Sequence, residues 1–108
     1  MTVHQLSEHL GLDVICMPDP DRQVTGGYAC DLLSWVLGRA EAGDAWVTIM
    51  SNVNIIAVAT LADPACIVLA ENVEPDPQTV TRAREQGVNL LKAKENTFTV
   101  CARIATLL

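Results

Sequence analysis

Short runs of β-branched and aliphatic residues recur along the chain, each followed by a polar or glycine-containing turn and then by residues at helical spacing behind a capping side chain. That alternation is the mark of βα units, and parallel strands joined through helices confine a chain to a layered α/β arrangement. Neither an internal repeat nor a low-complexity linker interrupts the rhythm. At 108 residues there is room for one hydrophobic core, so residues 1–108 are read as a single domain. The expected fold is α/β in three layers, with a mostly parallel central sheet of about five strands and flanking helices.

Thr2 is placed to cap a first helix carrying Val3, Leu6 and Leu10, Gln5 completes a capping box, and Gly11 ends the helix. Asp13–Met17 reads as a strand and Pro18-Asp19-Pro20-Asp21 as a loop. Arg22–Val24 reads as a short second strand, which leaves open a mixed sheet, and Gly26-Gly27 as a sharp turn. Asp31–Ala40 has Leu32, Leu33, Val36 and Leu37 at helical spacing and is closed by Gly43, and Trp46–Met50 is the clearest strand. Val53–Leu61 is apolar nearly all round; it is read as a helix because Ser51 or Asn52 can cap it and Asp63-Pro64 stops it. The unbroken apolar run Cys66–Ala70 fits a central parallel strand. Asp76-Pro77 opens and Gln86-Gly87 closes a helix that Thr79, Arg82, Arg84 and Glu85 mark as solvated. Val88–Leu91 is a short strand, and Asn96 caps a last helix with Phe98, Cys101, Ile104, Ala105 and Leu108 on one face.

Composition removes several function classes. Seven Lys+Arg against 13 Asp+Glu give a formal net charge of -6, the wrong sign for gripping nucleic acid or an anionic membrane. With 50% apolar and 19% charged residues the chain must fold, with apolar surface to spare. No run approaches the ~20 apolar residues of a membrane span, and Met1–Gln5 carries no export signal, so the expected location is cytoplasmic. Cys16, Cys30, Cys66 and Cys101 form no C-x-x-C pair and are read as reduced, mostly buried thiols holding no metal. His4 and His9 fall on different helix faces, no P-loop string occurs, and Gly26-Gly27 lacks the third glycine of a dinucleotide fingerprint. Ser34 and Ser51 lack a nucleophile-elbow setting, and the acidic residues of the Pro-rich loops are read as solvated carboxylates. The reading is of a protein without catalysis and without a cofactor.

Ligands of parallel α/β sheets bind beyond the carboxyl ends of the strands, where loops meet helix N-termini. The corresponding segments are Thr25-Gly26-Gly27, Ser51-Asn52-Val53-Asn54, Glu71-Asn72 and Lys94-Glu95-Asn96. They supply a candidate ligand set of Arg22, Thr25, Gly26, Gly27, Ser51, Asn52 and Asn54, in which backbone amides and Arg22 would hold an anion. Tyr28 and Trp35 are candidate interface residues, since aromatics are enriched at interface cores. Trp35 shares its helix with Leu32, Leu33, Val36 and Leu37, an apolar arc too wide for one buried stripe.

The segment Asp21-Arg22-Gln23-Val24-Thr25-Gly26-Gly27-Tyr28, followed by Asp31-Leu32-Leu33-Ser34, resembles the DRTGG domain family. The resemblance continues through Gly43-Asp44-Ala45-Trp46-Val47-Thr48-Ile49, Asn54–Ala59 and Asn96-Thr97-Phe98, and so covers nearly the whole chain. Gln23-Val24 stands inserted between Arg22 and Thr25, so the name motif is not contiguous. The resemblance implies an α/β regulatory module. Similar domains occur in phosphate acetyltransferases and between the CBS modules of certain pyrophosphatases, and the non-catalytic N-terminal domain of HPr serine kinase is related. In those chains the module contributes to association rather than to chemistry. Two readings follow: a homodimeric module that also engages a partner protein, or a small-ligand sensor for a nucleotide or other phosphorylated metabolite.

Overall fold

The computed structural model describes all 108 residues. Helix α1 (Val3–Leu10) starts with the expected capping box: Thr2 Oγ1 accepts the Gln5 N–H at 3.1 Å, and Gln5 Oε1 accepts the Thr2 N–H at 2.9 Å. There follow β1 (Asp13–Cys16), β2 (Gly26–Ala29), α2 (Leu33–Arg39), β3 (Asp44–Thr48) and α3 (Asn54–Ala62). The chain continues through β4 (Cys66–Leu69), α4 (Pro77–Gln86), β5 (Leu90–Lys92) and α5 (Thr97–Leu107).

The sheet order is β1-β5-β4-β3-β2. Strands β2 to β5 are parallel neighbours in chain order, so three crossovers of one hand place α2, α3 and α4 on the same face. Helices α1 and α5 pack together on the other face, α5 lying over β2 and β3. Alternation along β3 then divides the core: Ala45 and Val47 join Val3, Leu6, Val100 and Ile104 on one side, and Trp46 joins Val36, Ile55 and Ile56 on the other. The three-layer α/β expectation holds. The sheet is mixed, and the antiparallel member is β1, which pairs with β5 through a register shift between Val14 and Cys16.

The second strand differs from the sequence reading. Arg22–Val24 is not a strand; only Gln23 forms a single bridge, to Thr2. Gly26 and Gly27 make no sharp turn but begin β2, and neither has a positive φ. Glycine at position 26 answers a different need, since a Cβ there would lie 2.7 Å from Asp44 Oδ1 on the paired strand. Helix α2 is shorter than Asp31–Ala40, because the Asp31 carboxylate turns to β3 instead of capping. Thr79, expected on a solvated face, is fully buried and donates its hydroxyl to the Ser51 carbonyl at 2.8 Å.

Candidate functional site

The candidate ligand residues lie at two ends of the sheet. Arg22, Thr25 and Gly26 stand where β2 and β3 begin, and Ser51, Asn52 and Asn54 stand beyond the end of β3. The length of β3 separates the two groups by roughly 15 Å. At the first end Arg22, Thr25 and Asp44 are each engaged within the chain. Arg22 Nη1 reaches Asp63 Oδ1 at 2.9 Å, and Nη2 donates to the Asp63 carbonyl at 3.0 Å. This hydrogen bond, aided by the Arg22 charge, holds the Asp63 carboxyl below its ordinary value against a smaller opposing effect of burial. Thr25 donates its N–H to the Gly43 carbonyl at 3.0 Å and packs its hydroxyl where a Cβ on Gly43 would otherwise sit. Asp44, beneath Gly26, accepts the Glu41 N–H at 2.8 Å. These residues clasp the crossover between β2 and β3.

At the carboxyl ends, the loops bind one another. The Ser51 carbonyl accepts both the Asp76 N–H at 3.1 Å and the Thr79 hydroxyl, tying the β3 exit to the start of α4. Asn52 Oδ1 accepts the Asn54 N–H at 3.0 Å and so opens α3. After β4, Glu71 (φ 61°) and Asn72 (φ 58°) occupy the central positions of a type I′ turn closed by Val73 N–H on the Ala70 carbonyl at 3.2 Å. Left-handed Glu costs on the order of 1 kcal/mol or more. Its carboxylate offsets that by accepting the Thr97 N–H at 2.8 Å, so the N-terminus of α5 already carries an anion.

Asp31 is the residue that sequence reasoning missed. One carboxylate oxygen accepts the Thr48 hydroxyl at 2.8 Å and the Ile49 N–H at 3.0 Å, joining the exits of β2 and β3. An Asp just before an apolar helical run reads as a cap, which hid this role. The cleft between α3 and α4, about 350 Å³, is bordered by Val53, Asn54, Thr60, Arg82 and Gln86, and Arg82 belongs to none of the ion pairs. No three His, Cys, Asp or Glu side chains gather as a metal site would require.

A third feature runs along β2. On the α5 face, Gly27, Ala29, Ala45 and Val47 floor an apolar groove of about 310 Å³ walled by Cys101, Ile104, Ala105 and Leu108. Phe98 continues that stripe one turn earlier and is 82% exposed. The sequence reading correctly put these α5 residues on one face, but that face is half open, and Val100 and Ile104 carry the burial. On the α2 face, Trp35 is 47% exposed under the Arg39 guanidinium, 3.7 Å from its ring centroid. Desolvation pushes the nearby Tyr28 phenol up, and the Arg39 charge opposes it. Trp46, by contrast, is wholly internal and donates its indole N–H to the Cys30 carbonyl at 2.9 Å.

Residues 5–107 match the family model of the DRTGG domain. The chain belongs to that family. Among solved structures, this DRTGG domain is similar to the crystal structure of the CBS and DRTGG domains of the regulatory region of Clostridium perfringens pyrophosphatase, complexed with the activator diadenosine tetraphosphate. The TM-score is 0.76 at 10% sequence identity, over 99% of this chain and 47% of the other. The chain thus spans about half the length of that relative, and the likeness is one of fold. No curated protein matches. No helix is long and apolar enough to cross a membrane.

Proposed function

We propose that this DRTGG domain is a non-catalytic regulatory module of the cytoplasm whose output is association, with a second copy of itself and through it with a partner protein. The observation that carries the reading is the apolar flank along β2. A chain of net charge -6 exposes there Trp35, Phe98, the groove and the edge strand itself. Exposed apolar surface of this extent marks interaction sites on soluble proteins. Light scattering at micromolar concentration tests it; a species that stays at 11.6 kDa at all concentrations would sink self-association.

A second reading is a sensor for a nucleotide or other phosphorylated metabolite. The diadenosine tetraphosphate carried by the pyrophosphatase region favours it, as does the cleft where Arg82 faces the first turn of α3. Thermal denaturation with a panel of nucleotides and phosphoesters is the test. Ligand at 100 times its dissociation constant adds ~2.7 kcal/mol, a rise on the order of 10 °C for a domain of this size. A shift abolished by Arg82→Ala supports the cleft, and a flat panel removes the sensor reading.

A further inference from the structure

The two edges of the sheet are built differently. At the β1 edge the strand carries a register shift between Val14 and Cys16, begins with Asp13 and runs into Pro18 and Pro20, devices that keep another strand from adding. The β2 edge has none of them: Gly26-Gly27-Tyr28-Ala29 holds no charge, no proline and no bulge. Cys30 donates its N–H to the Val47 carbonyl at 3.2 Å. The two-residue alternation of a parallel ladder therefore turns the N–H and C=O groups of Gly27 and Ala29 to the open side.

Charge selects the occupant. From Gly26 to Arg39 the only acidic side chain is Asp31, whose carboxylate is engaged by Thr48 and Ile49, and the only basic one is Arg39, which lies over the Trp35 ring. From Thr97 to Leu108 the only charged side chain is Arg103, paired with Glu95. The 13 acidic residues that would make two copies repel are thus kept off this flank or engaged at its rim.

We infer that a second copy of this chain docks on this flank, its β2 running antiparallel to β2 across a two-fold axis at Tyr28, so that the two sheets become one. Gly27 of each copy then exchanges both backbone hydrogen bonds with Ala29 of the other, and their small side chains admit the close approach. The groove beneath α5 closes in the same step. This deepens the association reading and rests on it.

Three variants and one exchange measurement test the inference in the full chain. Ala29→Pro removes an edge donor that has no partner within the subunit, and Ala105→Glu puts a charge on the exposed groove wall near its symmetry mate. Leu61→Glu alters a residue of α3 that lies off the flank, is 76% exposed and should change nothing. Sedimentation at micromolar concentrations should give twice 11.6 kDa for the native chain and for Leu61→Glu. Dimer affinity should fall roughly 100-fold or more for Ala105→Glu and Ala29→Pro. Hydrogen exchange should show the Gly27 and Ala29 amides protected in proportion to dimer. A monomeric native chain overturns the association reading and this inference with it. A native dimer that survives in both folded flank variants, or that is lost in Leu61→Glu, overturns the flank alone. Fast exchange at Gly27 and Ala29 in the dimer overturns the strand pairing, whether or not Ala29→Pro folds.

Discussion

Replacing Gly43 by alanine tests whether the family signature is a structural clasp. Gly43 sits at φ 87°, and its missing Cβ leaves the space that the Thr25 hydroxyl fills. An L-residue in the left-handed region costs about 1–2 kcal/mol, and forcing an extra carbon into a filled space costs a further ~1–3 kcal/mol. Reduced freedom of the unfolded chain returns about 0.4–1 kcal/mol. The expected net loss is about 2–4 kcal/mol, a fall in Tm on the order of 10–25 °C. Gly87 is the control, since it is also left-handed at φ 70° but has open space around its would-be Cβ. Gly87→Ala should cost only about 1 kcal/mol. In a Thr25→Ala background the obstructing hydroxyl is gone, and Gly43→Ala should fall to nearly the cost of Gly87→Ala. Urea unfolding of the four chains of the Thr25/Gly43 cycle gives the coupling from the midpoints at constant m. Equal costs of Gly43→Ala with and without Thr25 would refute the clasp.

Asp31→Ala strands the Thr48 hydroxyl, which is buried, and the Ile49 N–H, and should cost about 1–3 kcal/mol in urea; Asp31→Asn keeps one acceptor and should lose less than half as much. Because Arg22 lowers the Asp63 carboxyl in the folded state, the stabilisation is present above about pH 4 and disappears as pH falls through the native value. Solvent screening at this exposed pair keeps it under about 1 kcal/mol, and Arg22→Gln should remove that acid limb from a stability-versus-pH curve. The Cys66 thiol is fully buried and pushed up to about 12 by desolvation. Stability is therefore retained below the unfolded thiol value near pH 8.5 and falls as pH rises toward 12, by up to about 1.4 kcal/mol per pH unit. Cys66→Ala should flatten that alkaline slope, and in the native chain a thiol reagent at pH 8 should reach Cys66 only on global unfolding.

What lay in the sequence was whatever local interactions decide. The Thr2–Gln5 capping box, the Asn96 cap, the Asp76-Pro77 start and the apolar run of β4 each rest on residues within a turn or two, and each stands where the pattern puts it. The family was legible for the same reason, because its motif is a string. What the string does was not legible. Gly26 reads as a turn from its own conformational freedom, and only the parallel pairing with β3, which sets Asp44 beneath it, shows that the constraint is close approach. Arg22 reads as an anion ligand, and only the fold shows that its guanidinium also pairs with Asp63, 41 positions away. Strand order was likewise decided by the tertiary structure, since hydrophobic period reports which face a strand buries and not its neighbours. That order made β2 an edge, and two helices spread over the α5 face left its groove open. The apolar surplus is written in the composition, but its collection on one flank is a consequence of how the layers close.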